Sequence, residues 1–216
     1  MILNHKVGSR LRIGGYLHYY RDLIAGENIF GIKRDLYLEL SYRLSDQIIR
    51  LRFQQNYRPP EIPDLILQEK RRQILRLDHT CEIASGFEVK NMIQLSWAQP
   101  LIPAHHYHGA SLLHQISWNR NNIKISAGWS SFDIPDYELR LYESEPDLSG
   151  TTRSILLNER GNKFYLLSQI RIRNKFQLDL KYGQRYYPDL INIGTGLDSY
   201  PANRIHELKI SVIGKM

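Results

Sequence analysis

The chain has few of the features that staple or anchor a protein: one cysteine among 216 residues, and no long apolar segment. The single thiol, Cys81, excludes an intramolecular disulfide and a zinc site built from cysteines. The longest apolar runs fall far short of about 18 residues, which excludes a membrane-spanning helix. The first ten residues lack the apolar core of a signal peptide. Because an outer-membrane protein needs a signal peptide, we expect either that this chain is the C-terminal portion of a longer protein or that it is not a membrane protein.

Catalytic signatures are also lacking. The sequence contains neither the Gly-x-Ser-x-Gly elbow of serine hydrolases nor the His-Glu-x-x-His helix motif of zinc proteases. The carboxylates Asp78 and Glu82 share a strand face with arginines, which favours charge neutralisation over acid catalysis. We therefore predict no catalytic residue, no cofactor and no enzymatic activity.

Three segments have residues that could bind a ligand. His105, His106 and His108 could bind a transition metal, but neighbouring residues point apart and we expect a solvated loop. The acidic segment 133–162 lacks the spacing of a calcium loop. The glycine loop 194–198 lacks a following helix and is predicted to be a turn.

What the chain does have is a two-residue alternation of apolar and polar side chains. Between Asp35 and Leu44 one parity is leucine and tyrosine and the other is mostly polar or charged. Because successive side chains of a strand point to opposite faces, this pattern predicts a β-strand with one apolar face. The pattern recurs in ten segments: 9–21, 34–45, 47–58, 72–85, 87–98, 109–119, 122–133, 163–174, 176–187 and 204–216.

The connections alternate between short and long. The short ones are tight turns at Ser45-Asp46, Ser85-Gly86, Arg120-Asn121 and Asn174-Lys175. The long ones hold all nine prolines, which cannot donate to a ladder. This layout predicts an all-β, antiparallel, up-and-down transmembrane barrel of about ten strands, a single domain over residues 1–216 and possibly part of a larger barrel.

The two faces differ in charge. The positions proposed to face lipid, such as Leu51, Leu77 and Leu180, carry no charge, although His79, Asn91, His114 and Ser168 interrupt the apolar parity. The polar parity carries mixed charges, as at Arg50, Arg52, Asp179 and Lys181. The net charge of +7 is therefore interpreted as a salt-bridged lumen lining. Leu180→Arg should then block membrane insertion, whereas Lys181→Gln should be tolerated.

The C-terminal segments also resemble a known family. The relevant runs are Trp129 to Asp133, Asp136 to Glu143, Glu145 to Gly150, Gly161 to Leu167, Tyr182 to Asp189 and Ile193 to Asp198. They are similar to the C-terminal β-barrel region of large bacterial outer-membrane proteins that carry N-terminal helix-hairpin-helix repeats of the competence type. The motif positions, taken as structural, are Trp129, Phe132, Asp133, Asp136, Tyr137, Arg140, Tyr142, Tyr182, Tyr186, Asp189, Gly194, Gly196, Leu197 and Asp198.

The resemblance implies a non-enzymatic outer-membrane barrel, structural or transport-related, with the lipid bilayer and the barrel-assembly machinery as partners. DNA would be bound only through an N-terminal part that this sequence does not contain. Two alternatives stay open: a soluble basic β-sheet protein that binds nucleic acid or polysaccharide, and an outer-membrane enzyme.

Overall fold

The computed structural model describes residues 2–23, 30–58, 70–98, 107–172, 175–193, 199 and 201–214. The described part is almost entirely β-structure, with two short 3-10 helices at Tyr137–Leu139 and Leu148–Gly150. The strands are β1 (Ile2–Val7), β2 (Leu11–Leu23), β3 (Phe30–Leu44), β4 (Gln47–Arg58), β5 (Lys70–Ala84), β6 (Phe87–Ala98), β7 (Tyr107–Arg120), β8 (Ile123–Ile134), β9 (Leu141–Pro146), β10 (Thr152–Leu157), β11 (Glu159–Ile172), β12 (Phe176–Tyr186) and β13 (Arg204–Gly214).

Eleven strands form one sheet in the order β1-β2-β3-β4-β5-β6-β7-β8-β11-β12-β13, and every neighbouring pair is antiparallel. The predicted all-β, up-and-down class is confirmed. All ten predicted strands are present, and β1 is an additional one. The sheet is not closed by pairing within the described ranges. Because direction alternates over eleven strands, β1 and β13 run parallel to each other.

The short turns have the backbone that tight hairpins require. Ser45, Gly86 and Asn121 adopt positive φ angles of 50°, 81° and 53°, which Gly and Asn tolerate best. The third turn is Asn121-Asn122 rather than Arg120-Asn121, because Arg120 still pairs with Ile123. Of the fourth predicted turn, Lys175 is described and Asn174 lies outside the described residues.

The sheet is inside-out relative to a water-soluble protein. Apolar side chains stand on its exposed face: Leu38, Leu51 and Ile93 are 46%, 40% and 45% exposed. The opposite face carries polar residues that are buried, including Asp78, Gln94 and Lys181. The strand register aligns apolar residues of this face into a continuous row across six strands: Ile13, Leu40, Leu51, Leu77, Ile93 and Leu112.

Three of the polar interruptions on this apolar face form hydrogen bonds. His114 Nδ1 lies 2.5 Å from the side-chain oxygen of Asn91, its partner across β6 and β7. His79 Nε2 lies 3.4 Å from the Gln47 side-chain oxygen. These contacts reduce the cost of placing polar groups on an apolar surface.

The segment between β8 and β11 is one of the long connections, but it is not an open loop. Residues 135–158, called the insert below, contain both 3-10 helices and the antiparallel β9–β10 hairpin. The insert folds back over the polar face of the sheet. Its Pro146 ends β9, so not every proline lies outside a strand. The position is compatible with proline because it is the last residue of a two-stranded edge.

A small apolar core joins the insert to the long-loop end of the sheet. Its buried members are Phe132, Ile134, Leu139, Leu141, Ile155, Leu157 and Tyr187. Leu139, Leu141 and Leu157 of the insert are fully buried there. No helix in the described part of the chain is long and apolar enough to cross a membrane.

Candidate functional site: a charged insert on the polar face

The centre of the candidate site is strand β9 of the insert, which places acidic side chains at alternate positions. Glu143 and Glu145 are buried, whereas Tyr142 and Ser144, which precede them in the strand, are exposed. The period of two that made this segment resemble a strand therefore also puts its carboxylates on one face. Asp147, the residue after β9, continues the acidic series.

Three lysines of the sheet meet these carboxylates. Lys163 Nζ of β11 lies 2.5 Å from Glu143 Oε1 and 2.6 Å from Glu145 Oε2. Lys181 Nζ of β12 lies 2.6 Å from Glu145 Oε1 and 3.3 Å from Asp147 Oδ1. Lys209 Nζ of β13 lies 3.1 Å from Asp147 Oδ2. The three lysines and the three carboxylates therefore alternate along one line. We call Lys163, Lys181 and Lys209 the lysine row.

Most of these ion pairs are buried, which raises the free-energy cost of removing one partner. Lys163 and Lys181 are 4% and 1% exposed, and Glu143 and Glu145 are 0% and 4% exposed. Removing one partner from such a buried pair typically costs about 3–5 kcal/mol, because the remaining charge stays in a low-dielectric environment. The lysine row and the insert therefore depend on each other.

Lys181 has three partners in the insert, since its Nζ also donates to the Pro146 carbonyl at 2.8 Å. Lys181 is therefore salt-bridged, as the sequence suggested for the polar parity, but its partners lie in the insert and not on neighbouring strands. The prediction that Lys181→Gln is tolerated is replaced here by an expected loss of insert docking.

Asp147 forms the outer end of the chain. Its Oδ1 accepts the Leu148 backbone N–H at 3.0 Å. Burial raises the pKa of this carboxyl, but the Leu148 N–H and the two lysines outweigh burial and hold the pKa below its ordinary value. Asp147 is therefore a stable anion between Lys181 and Lys209, which stand directly opposite each other on β12 and β13.

The other end of the insert is held by hydrogen bonds to its backbone. Ser96 Oγ donates to the Leu139 carbonyl at 2.9 Å, and Gln94 Nε2 donates to the Tyr142 carbonyl at 3.3 Å. Arg72 donates to the Arg140 carbonyl. The insert therefore spans the polar face from β5 to β13.

The first half of the sheet neutralises its own charges in a different way. Arg52 Nε lies 2.9 Å from Glu39 Oε2, and Arg76 Nη2 lies 2.7 Å from Asp78 Oδ1. Tyr37 donates to Glu39 at 2.6 Å. All of these groups belong to sheet strands. Among the residues that the structure describes, only the second half of the sheet obtains its main counter-charges from the insert.

Tyr165 lies beneath the lysine row. Its ring centroid is 5.7 Å from Lys163 Nζ and 5.6 Å from Lys181 Nζ, both within cation–π range. Its hydroxyl is buried without a hydrogen-bond partner among the described residues. A cavity of about 20 Å³ beside it, also lined by Glu145, Arg185 and Glu207, has room for one water.

Gly128 provides the space for the Tyr165 ring. The two residues pair across β8 and β11, and a Cβ on Gly128 would lie 2.2 Å from Tyr165 Cε1. By contrast, a Cβ on Gly183 of β12 would have its nearest neighbour at 3.9 Å. Both glycines stand on the polar parity of their strands.

We therefore expect Gly128→Ala to destabilise the fold by about 1–3 kcal/mol, the usual cost of overpacking a filled site. Gly183→Ala is the matched control and should change the free energy of unfolding by less than about 0.5 kcal/mol. Urea unfolding in detergent micelles measures both. Equal effects of the two substitutions would show that the Tyr165 ring is not packed against Gly128.

The structure distributes the predicted motif residues over several places. Phe132 is buried in the small core and Trp129 stands on the apolar face, 42% exposed. Asp136 caps the first 3-10 helix by accepting the Glu138 N–H at 2.7 Å, and the Arg140 guanidinium lies 4.4 Å from the Tyr137 ring centroid.

The remaining motif residues lie on the strands and loops around the insert. Tyr142 is exposed on the outer side of β9, and Asp133 is exposed at the end of β8. Tyr182 contacts His206 at 2.9 Å, Tyr186 lies under Arg204, and Asp189 is 4.0 Å from Arg160. Gly194, Gly196, Leu197 and Asp198 lie outside the described residues.

The histidine segment is only partly described. His108 is exposed, and His105 and His106 lie outside the described ranges. Within those ranges no group of three His, Cys, Asp or Glu side chains is arranged to hold a metal ion.

Sequence reasoning noticed the acidic residues of 133–162 and the lysines of the later strands but did not connect them. The available signal was the alternation of Glu143, Glu145 and Asp147, which matches a strand facing a basic surface. No protein-family model, curated protein or solved structure matches the chain.

Proposed function

We propose that this chain is a non-enzymatic outer-membrane β-barrel protein, structural or transport-related, with its apolar face in the lipid bilayer. The supporting observation is the inverted sheet, on which leucine and isoleucine rows are exposed while charged residues are buried. In water such a surface would be an aggregation liability. In a bilayer it is the surface that a transmembrane barrel needs.

Aromatic residues support the proposal by their position along the strands. Phe87 and Trp97 stand on the apolar parity near opposite ends of β6. Ten residue steps of about 3.3 Å separate them by about 33 Å along the strand. For strands tilted by about 40° this corresponds to an apolar band of about 25 Å, the height found in outer-membrane barrels.

The register supports the same reading at the short-turn end. Phe87 and Trp118 are cross-strand partners with ring centroids 6.0 Å apart. Phe176 stands at the same end of β12 and is 55% exposed. Aromatic girdles of this kind occupy the interfacial regions of membrane barrels.

The alternative of a soluble nucleic-acid-binding sheet receives less support from the geometry. The cations that would contact phosphates, such as Lys163 and Lys181, are buried beneath the insert. The face that is open to a partner is apolar instead. A single-stranded nucleic acid would need aromatic and cationic groups on one accessible surface.

Membrane fractionation tests the proposal. The chain is expressed with a secretion signal in a Gram-negative host, and the membranes are separated on a density gradient. We expect the protein in the outer-membrane fraction, resistant to high-salt extraction and solubilised by detergent. Recovery of folded protein in the soluble periplasmic fraction would contradict the proposal.

A further inference from the structure

We propose that the lysine row formed by Lys163, Lys181 and Lys209 is a binding site for an extended polycarboxylate, and that β9 of the insert is its resident occupant. The inference deepens the proposed function, on which its biological setting rests, by naming the chemical class of ligand that the polar face would take. The binding site itself is defined by contacts within the described residues.

The first argument is the charge balance of the second half of the sheet. Its inward-facing groups around the site are the cations Lys163, Lys181, Arg185 and Lys209 and the anions Asp179 and Glu207. Asp179 is already bonded by the side chains of Gln169 and Gln177. Without the insert this surface therefore has an excess of positive charge, whereas the first half of the sheet does not need the insert for its main ion pairs.

The second argument is the geometry of the cations. Lys181 and Lys209 are direct cross-strand partners, an arrangement that is repulsive unless an anion lies between them. Asp147 supplies that anion, with Oδ1 toward Lys181 and Oδ2 toward Lys209. Glu145 bridges Lys163 and Lys181 in the same way.

The third argument is the spacing of the resident anions. The carboxylates of β9 and of the adjoining Asp147 stand two residues apart, which in an extended strand is about 7 Å. The lysine row thus fits an extended chain with carboxylates at that repeat, such as an acidic peptide strand. A compact tricarboxylate would satisfy part of the row.

The test compares the wild type with Glu143→Gln/Glu145→Gln/Asp147→Asn, both folded in detergent micelles. An amine-modifying reagent followed by mass spectrometry measures the reactivity of each lysine. We expect the buried Lys163 and Lys181 to become about tenfold more reactive in the variant, as local opening predicts, and Lys209, whose side chain is already 26% exposed, to change less. The exposed Lys175 serves as an internal reference and should not change.

Citrate and a synthetic peptide of the sequence Leu141–Asp147 are the probes. The peptide should protect the lysines of the row in the variant again, by about fivefold at a concentration several times its Kd, whereas citrate should protect only part of the row. Both effects should be smaller at high salt. A peptide with Gln at 143 and 145 and Asn at 147 is the control. Lysines that stay unreactive in the variant, or that neither probe protects, would overturn the inference.

A charge-matched control variant is Asp46→Asn/Glu82→Gln/Glu88→Gln. It removes the same number of carboxylates from exposed positions at the short-turn end. It should leave the reactivity of the three lysines as it is in the wild type. If the insert variant fails to fold, the inference is tested on the wild type by limited proteolysis. Citrate should then accelerate proteolysis of its insert more than sodium chloride of equal ionic strength, and an absence of that difference would overturn the inference.

These measurements separate the two proposals. Lysine reactivity is measured in micelles and does not require membrane residence, so failed protection would leave the outer-membrane proposal intact. Failed fractionation with successful protection would leave the polycarboxylate site intact and remove only its membrane setting.

Discussion

Leu51→Arg is expected to reduce the membrane-inserted fraction of the protein by at least about tenfold, because an arginine on the lipid face near the bilayer midplane costs about 2–4 kcal/mol. Leu51 stands in the middle of β4, 40% exposed, between Leu40 of β3 and Leu77 of β5. The new guanidinium would have no acidic neighbour in this apolar row. Insertion is measured as the fraction of refolded protein that floats with lipid vesicles.

Gln54→Arg is the matched control for this experiment. Gln54 lies three residues along the same strand on the polar parity, where its side chain donates to Asn56 at 3.2 Å. The same substituent therefore enters a hydrophilic environment, and we expect insertion close to that of the wild type. Equal insertion of both variants, whether high or low, would contradict the assignment of the two faces.

Glu145→Gln is expected to release the insert while leaving the sheet in the membrane. The Glu145 carboxylate contacts Lys163 and Lys181 at 2.6 Å each. Replacing this carboxylate by a neutral amide removes one ion pair from each of the two buried lysines. The expected loss is about 3–5 kcal/mol of insert docking. Limited proteolysis should then cleave between residues 135 and 158 in the variant and not in the wild type.

Glu138→Gln removes the same charge from an exposed position of the insert and is the control for Glu145→Gln. We expect it to leave the protease resistance unchanged, because an exposed charge contributes little. Vesicle flotation should be normal for both variants, since neither substitution alters the apolar face. Equal protease resistance of Glu145→Gln and the wild type would show that the lysine row does not hold the insert.

The strands and the orientation of their faces could be predicted because a period of two is a local signal. The alternation at Leu36, Leu38 and Leu40 predicts which face of the sheet these residues occupy, without any knowledge of distant contacts. Turn residues such as Asn121 fix the hairpins by their own backbone preferences. Strand β1 was missed because the run Asn4-His5-Lys6 interrupts the apolar alternation.

The position of the insert could not be predicted in the same way. An alternating acidic strand is compatible with an external loop or with a basic surface, and the choice depends on partners far away in sequence. Lys181 lies 36 residues from Glu145, and Lys209 lies 62 residues from Asp147. The apolar residues Leu139 and Leu141 likewise pack with Phe132 and Tyr187, contacts that the local pattern does not specify.

Tryptophan fluorescence offers the most direct test of the inverted sheet. The sequence has three tryptophans, and Trp97, Trp118 and Trp129 all stand on the apolar parity of β6, β7 and β8. In vesicles of lipids brominated along their acyl chains, the account predicts strong quenching of the emission and little quenching by aqueous iodide. Emission that iodide quenches and brominated lipid leaves unchanged would contradict a lipid-facing apolar surface.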